Sequence, residues 1–260
     1  PSLPPVMSPV PCPSSPPPQV QGGARLPPLA MHYAFNSNLV NSVTGQADGH
    51  IGFIPSFVNS SFGTALKFAQ PTVETAKPCA DQTGSWFRTG RAVNASMSDG
   101  MTLAVWFQYQ GLFTKCPGCD EHVIEFFYGL VPKKFGHLVF DAFPSTPVMD
   151  VPELLVLSVS REACTGEAKN LTTYAANTAG VISSVQPSTI NFCGAPYVRF
   201  NKHCWTEHPN LCYCSEDSWL DLYDVSVYVG SMSEEDVKAA YAAGPNAPIQ
   251  PSPTPTQVLR

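Results

Sequence analysis

Charged residues are scarce in this chain, and it has no cluster of basic residues. Only 13% of its 260 residues are charged, the formal net charge is −6, and the longest basic run is Lys133 and Lys134. Binding to nucleic acid needs clustered Lys and Arg that displace counterions, so we expect no nucleic-acid partner. The longest apolar run, around 154–157, is far below the ~18 residues that span a bilayer. We therefore expect no transmembrane segment.

Sequence signatures of enzymes are missing as well. The chain has no G-x-S-x-G elbow, no H-E-x-x-H, no phosphate loop and no dinucleotide fingerprint. Glycosidases need two carboxylates ~5–10 Å apart. Glu121 and Glu125 share one face of an expected strand but lie about 13 Å apart at ~3.3 Å per residue. We predict a protein that is not an enzyme and that needs no cofactor.

Proline, by contrast, is abundant at both ends of the chain. Residues 1–28 hold 11 of the 27 prolines, and residues 245–260 hold five more. Proline fixes φ and donates no backbone hydrogen bond, so these segments favour an extended polyproline II conformation. We expect two arms, 1–28 and 245–260, around one globular domain at 29–244. We also expect the arms to be ordered against this domain, a neighbouring copy or another chain; a stiff linker between domains is the alternative.

Cysteines and glycosylation sequons indicate the compartment. The three sequons begin at Asn59, Asn94 and Asn170. The nine cysteines, all of them disulfide candidates, are Cys12, Cys79, Cys116, Cys119, Cys164, Cys193, Cys204, Cys212 and Cys214. Together these features predict a secreted, oxidised and glycosylated protein. Eight cysteines fall in the globular part and could form four disulfides, which leaves Cys12 for an intermolecular bridge or a free thiol; a Cys12–Cys79 bridge is the alternative.

Two groups of cysteines are also candidates for other chemistry. A redox dithiol opens a helix that lowers a thiol pKa, whereas expected strands flank Cys116-Pro-Gly-Cys119. We interpret that motif as a loop closed by a disulfide, alone or with Cys164 or Cys193. A zinc site would have enough ligands near the C-terminal end, but their spacing matches no established pattern. Those ligands are His203, Cys204, His208, Cys212 and Cys214.

Short runs of aromatic and β-branched residues recur between turn signals across the globular part. Such runs predict an all-β sandwich or jelly roll. The expected strands are 31–35, 65–68, 101–108, 122–127, 136–140, 154–159 and 219–229. One helix of about ten residues is expected at the end, because Ser233 caps a first turn that is rich in acids, and Gly244 and Pro245 end it.

Several of these motifs, in this order, resemble a known fold family. The strand 31–35, the polar turn after it, the F-G-x-A-L-x-F motif at 62–68 and the strand at 101–106 resemble the concanavalin A-like, laminin G-type jelly roll. The last strand and the closing helix, 224–241, resemble it as well. The resemblance implies a two-sheet sandwich over 31–244, and the cysteine-rich stretch 193–214 is an insertion in it. Tyr223 departs from the acidic residue that the family often has there.

The resemblance implies that sugar or Ca²⁺ would bind through loops at the rim. The loop residues that could serve are Asp81, Asp99, Asp120, Trp205 and Asp217. Loop acids are also ordinary turn formers. Three other tryptophans lie in apolar strands and are expected in the core instead: Trp86, Trp106 and Trp219.

The arms resemble the Ser-Pro and polyproline blocks of hydroxyproline-rich glycoproteins from plant and green-algal walls. This resemblance implies hydroxylated, O-glycosylated prolines, for which the candidates are Pro9, Pro16, Pro17, Pro18, Pro253 and Pro255. We predict an extracellular structural glycoprotein of an algal surface, wall or flagellar appendage, whose arms join copies of itself or neighbouring glycoproteins into a fibre. The alternative is a lectin-like carbohydrate-binding or adhesion module. A hydrolase is a distant third.

Overall fold

The structure is a computed structural model that describes fifteen strands and one helix. The described residues are 26–52, 56–68, 86–90, 100–111, 122–127, 136–139, 144, 148–161, 163–165, 167–189, 192, 197–200, 203–208, 211–215 and 219–245. Most of both arms lies outside them, and so does the expectation that the arms pack on other protein. The hydroxyproline candidates lie outside them too.

The elements follow one another along the chain as strands with a closing helix. The strands are β1 (Leu29–Tyr33), β2 (His50–Gly52), β3 (Ser56–Ser60), β4 (Gly63–Lys67), β5 (Trp86–Arg88), β6 (Met101–Gly111), β7 (His122–Phe127), β8 (Gly136–Val139), β9 (Pro152–Val159), β10 (Lys169–Asn177), β11 (Gly180–Ser188), β12 (Tyr197–Phe200), β13 (His203–His208), β14 (Leu211–Ser215) and β15 (Trp219–Val229). The helix α1 (Glu234–Ala243) follows β15. Among the described residues, no helix is long and apolar enough to cross a membrane.

Strand β15 is central to the larger of two main sheets. It pairs with β6 along one edge, and along the other with β4 near its start and β1 near its end. The larger sheet has the order β11-β10-β9-β6-β15-β4-β3, with β1 beside β15. The smaller sheet has the order β2-β5-β12-β7-β8, and β13 pairs with β14. These ladders are antiparallel, and the result confirms the predicted two-sheet, all-β sandwich with one short C-terminal helix.

The main core lies between the two sheets. Leu103, Val105 and Val225 of the larger sheet and Phe87 and Phe200 of the smaller sheet are all buried within one cluster. The rings of Phe87 and Phe200 stack with their centroids 6.0 Å apart. Each fully buried side chain of this size stabilises the fold by about 1.5–3 kcal/mol.

The helix α1 covers part of the outer face of the larger sheet. Val237 and Ala240 are buried there, and the ring of Tyr241 stacks on Trp106 with centroids 5.2 Å apart. Its start is fixed by a capping box: Ser233 Oγ accepts from the backbone N–H of Asp236, and Asp236 Oδ2 accepts from that of Ser233. The larger sheet is therefore buried on both faces where the helix lies.

A β-bulge interrupts β15 at Tyr223. On β6, Phe107 and Trp106 are consecutive, yet they pair with Leu222 and Asp224, so that Tyr223 is the extra residue. Before and after the bulge, Leu222 and Val225 face the inner core. As a result, the outer-face positions of β15 change from odd to even numbers at this point.

The described end of the N-terminal arm rests on the domain itself. Leu26 is buried in the outer cluster beside α1, and the Val229 N–H donates to the carbonyl of Pro28 at 2.8 Å. Residues 26–28 are therefore part of the folded unit.

The structure contains all seven expected strands, with ends that shift by a few residues, and the expected helix. Trp106 is 6% exposed, which confirms its predicted place in the core. The side chains of Trp86 and Trp219 lie outside the description. Strand β12, within the stretch 193–214 that we expected to be an insertion, is the middle strand of the smaller sheet.

Candidate functional site

Part of the outer face of the larger sheet carries polar side chains in register. The helix α1 packs on β10, β11 and Trp106 of β6, whereas the polar residues lie on β4, on β15 and toward the end of β6. Asp221 pairs with Lys67 on one side and with Gln108 on the other. Gln110, two residues along β6, donates from Nε2 to Asp221 Oδ2 at 3.1 Å. We call these four residues, Lys67, Gln108, Gln110 and Asp221, the polar row.

Asp221 is the buried carboxylate of the polar row. It is 6% exposed, and its Oδ1 is buried and receives no hydrogen bond from the described residues. Burial raises the pKa of Asp221, and the charge of Asp150 adds to the shift, while Lys67 and Gln110 oppose it. A buried acceptor without a donor costs about 1–3 kcal/mol. A ligand hydroxyl that reached this carboxylate would recover part of that cost.

Tyr223 joins the polar row to an exposed aromatic ring. Its hydroxyl donates to Gln108 Oε1 at 2.9 Å, and burial raises its pKa, so the hydroxyl stays protonated. On its other side, the ring of Tyr223 meets Phe62 edge to face, with centroids 6.4 Å apart. Phe62 is 47% exposed. A flat apolar surface thus lies next to amide, amine and carboxylate groups.

The turn that carries Phe62 is held by its own hydrogen bonds. The Phe62 N–H donates to Ser60 Oγ at 3.1 Å, and that hydroxyl donates to the carbonyl of Gly63 at 3.2 Å. Gly63 has a φ of 112°, a value that residues other than glycine rarely adopt. The ring is therefore presented by a defined β3–β4 turn.

A second exposed apolar segment precedes β9. Val148 and Met149 are 50% and 56% exposed. Met149 bridges to Tyr109 of β6, and the Asp150 N–H donates to the Tyr109 carbonyl at 2.9 Å. Since Asp150 acts on the pKa of Asp221, this segment belongs to the surroundings of the polar row.

Two of the three predicted glycosylation asparagines are described, and both are exposed on strands. Asn59 lies on β3, where its Oδ1 accepts from Thr64 Oγ1 at 2.9 Å, and Asn170 lies on β10. Asn94 lies outside the described residues. Glycan occupancy at all three stays a prediction.

One predicted disulfide cysteine is resolved: Cys164 is disulfide-bonded. For Cys204, Cys212 and Cys214 only the backbone is described, and the register places Cys204 opposite Cys214. Within the side chains that the structure describes, no three His, Cys, Asp or Glu residues are grouped to hold a metal ion. The prediction that Trp205 is a loop residue is wrong, because its backbone lies on β13 and pairs with Tyr213 of β14. The remaining candidates lie outside the description and stay predictions: Cys12, Cys79, Cys116, Cys119, Cys193 and the loop residues Asp81, Asp99, Asp120 and Asp217.

The polar row was not identified from the sequence. Asp221 is flanked by Leu220 and Leu222, and this alternation is a weak sign of an outward acid on a strand. Gln108 and Gln110 show the same alternation at the end of β6. The partners become visible only when the order of β4, β15 and β6 is known.

Comparison with known proteins gives distant structural likenesses only. No known protein family and no curated protein matches the sequence. Among solved structures, one titled for the cell entry of botulinum neurotoxin type C through two ganglioside molecules has a TM-score of 0.48 at 10% identity, over 83% of this chain and 50% of that one. The binding domain of Paraclostridial Mosquitocidal Protein 1 has a TM-score of 0.45 at 9% identity, over 82% of this chain and 52% of that one. The PL-14 alginate lyase from Aplysia kurodai has a TM-score of 0.46 at 10% identity, over 77% of this chain and 99% of that one.

This chain spans about half the length of the two toxin chains. Likenesses this distant carry no argument about what this chain binds or catalyses.

Proposed function

We propose that this domain is a carbohydrate-binding module and that the polar row with Phe62 is its binding surface. The observation that carries the proposal is the placement of a carboxylate with an unmatched oxygen, Asp221, beside two amides and one exposed ring. Sugar hydroxyls both donate and accept hydrogen bonds, while the C–H face of a pyranose packs on an aromatic ring. This surface offers partners for both parts of a sugar.

The charges of the surface favour a neutral saccharide. Lys67 and Asp221 offset each other, and Asp150 adds a negative charge nearby. An acidic sugar would meet Asp150 and Asp221 at short range, where like charges repel in a partly buried site. We therefore expect binding to neutral hexose or pentose oligosaccharides rather than to uronic or sulfated ones.

A glycan array on the full chain, followed by calorimetry on the best neutral glycan, tests this proposal. Phe62→Ala and Asp221→Asn are each expected to raise Kd at least tenfold, or ~1.4 kcal/mol. Val185→Ala is the matched control, because it removes an exposed apolar side chain from β11, away from the polar row. Equal affinity of Phe62→Ala, Asp221→Asn and the wild type would contradict this assignment of the site.

A structural role as a fibre subunit is the second proposal. It is motivated by the proline-rich arms, and one described feature favours it: β11 ends the larger sheet, pairs with β10 on one side, and exposes Ile182 and Val185. Edge strands with apolar side chains are sites where sheets of separate molecules pair. We place both roles outside the cell, at an algal wall, surface or appendage, where a sugar-binding subunit would also contact glycosylated arms of its neighbours.

A further inference from the structure

Three side chains that are distant in sequence form a continuous hydrogen-bonded chain on the outer face. Ser42 Oγ lies 2.6 Å from His32 Nδ1, and His32 Nε2 lies 2.7 Å from Asp224 Oδ2. The other carboxylate oxygen of Asp224 accepts from Ser226 Oγ at 2.8 Å. His32 comes from β1, Ser42 from the turn after it, and Asp224 from the residue that follows the β15 bulge.

This chain runs from an exposed hydroxyl to a buried imidazole and a buried carboxylate. Ser42 is exposed, whereas His32 and Asp224 are each 5% exposed. The backbone fixes the same geometry, because the Ser42 N–H donates to the carbonyl of His32 at 2.8 Å. The His32 N–H donates to Asn41 Oδ1 at 3.3 Å. The imidazole therefore connects a hydroxyl at the surface to a carboxylate in the interior.

The roles within the chain follow from which atoms can donate. A carboxylate only accepts, so the His32 Nε2–H donates to Asp224 and leaves the lone pair on Nδ1. The Ser42 hydroxyl then donates to Nδ1. This is the order of a hydroxyl, an imidazole base and an orienting carboxylate that activates serine for acyl transfer, with the two ring nitrogens exchanged.

We propose that Ser42 is an activated nucleophile toward small activated esters and other acyl donors, an activity separate from sugar binding. In the step, Ser42 Oγ forms a bond to the acyl carbon while its proton passes to His32 Nδ1. The bond from that carbon to the leaving-group oxygen breaks, and the leaving group departs as an alcohol with the proton from Nδ1. The products are acyl-Ser42 and the alcohol; attack by water returns the free serine and a carboxylic acid.

The surroundings of His32 make it a stronger base than a free imidazole. Burial lowers the pKa of His32, but the hydrogen bond and charge of Asp224 outweigh burial and raise the pKa overall. Among the described residues, Tyr228 of β15 also lies near Asp224; burial, with the charge of Asp224, raises the pKa of Tyr228 to about 12 and keeps it neutral. Since only neutral His32 can take the serine proton, the reaction rate should rise with pH through the His32 pKa.

The test is covalent labelling of the full chain with a fluorophosphonate probe, read by intact mass and peptide mapping across pH. We expect one label, on Ser42, whose rate rises with pH. Ser42→Ala should abolish it, and His32→Gln should slow it by about 10²-fold or more, as loss of a general base does. Thr44→Ala, an exposed hydroxyl in the same turn, is the matched control and should label as the wild type does.

The same experiment can overturn the proposal. No label on Ser42, a label spread over other exposed serines, or a rate that does not change with pH would each show that the chain of hydrogen bonds is structural only. If His32→Gln does not fold, Ser42→Cys decides the question: its thiol should react with iodoacetamide faster than an exposed control thiol at Thr44→Cys. Equal rates for the two thiols would contradict activation by His32. None of these results depends on whether the polar row binds sugar.

Discussion

At the scale of single residues, the buried groups His32 and Asp221 should each make the stability of the fold depend on pH. His32 has a raised pKa in the folded chain because Asp224 holds its charged form despite burial. A raised histidine pKa contributes stability that is complete below the unfolded value, near 6.5, and that is lost as pH rises through the folded pKa. The His32–Asp224 pair should therefore stabilise the domain most under mildly acidic conditions.

We predict that the wild type has this pH-dependent stabilisation by the His32–Asp224 pair and that His32→Gln lacks it. Urea unfolding between about pH 5 and 8, the range in which histidine titrates, measures it. The difference in unfolding free energy between wild type and His32→Gln should shrink as pH rises. A difference that stays constant over this range would show that His32 does not gain charge in the folded state.

Asp221 should behave in the opposite sense to an ordinary stabilising carboxylate. Because burial raises its pKa, the folded state holds the proton more tightly than the unfolded state, and stability falls as pH rises from 3.8 through the folded pKa. Asp221→Asn is therefore expected to keep or increase stability at neutral pH, although it should weaken sugar binding. Urea midpoints at neutral pH, with Glu235→Gln as an exposed control, measure this. A large loss of stability in Asp221→Asn would contradict the reasoning.

At the scale of elements, the start of α1 offers a clear test. Ser233 caps the helix and exchanges hydrogen bonds with Asp236, and loss of such a cap costs about 0.5–2 kcal/mol. We predict that Ser233→Ala lowers the free energy of unfolding by ~1 kcal/mol. Ser231→Ala, an exposed serine two residues earlier, is the control in the same urea titration. Equal losses for both variants would exclude the cap as the cause.

Strands were predictable from the sequence where apolar residues alternate or run together, as in β6, β9 and β15. The helix was predictable because Ser233, the acids after it and Gly244 mark both of its ends. Strands β3 and β11 were missed because they are edge strands with largely exposed side chains, so that their own sequences carry little apolar pattern. Such strands are stabilised by the neighbour with which they pair rather than by their own composition.

The candidate sites were less predictable than the strands. His32 and Asp224 are 192 positions apart in the chain, and only the pairing of β1 with β15 brings them together. The polar row likewise depends on β4 and β6 being the neighbours of β15. No local spacing records either arrangement, and Ser42 lies in no sequence motif typical of enzymes.

At the scale of the whole molecule, the folded unit and the arms should be separable at residue 26. Leu26 is 7% exposed against the domain, and loss of a buried leucine costs about 2–5 kcal/mol. We predict that a chain of residues 26–245 keeps the thermal midpoint of the full chain, whereas a chain of residues 29–245 unfolds at lower temperature. Calorimetry on the three chains measures this.

The same chains also test assembly through the arms. The full chain should form larger species as its concentration rises, and the 26–245 chain should stay monomeric in sedimentation experiments. Identical sedimentation of the two chains at all concentrations would contradict the fibre proposal. It would leave the carbohydrate-binding proposal untouched.

The bulge at Tyr223 divides β15 into two regularly alternating halves, whose outer-face residues have odd numbers before it and even numbers after it. Asp221 and Tyr223 on one side of it, and Asp224 and Ser226 on the other, share the outer face because one surplus residue lies between two regular alternations. Deleting Tyr223 would make Leu222 and Asp224 consecutive opposite Phe107 and Trp106, so that Asp224 would stay on the outer face and Val225 in the inner core. An in-frame deletion of three nucleotides would thus remove the residue that links Gln108 to Phe62, while Asp224 would keep its place beside His32.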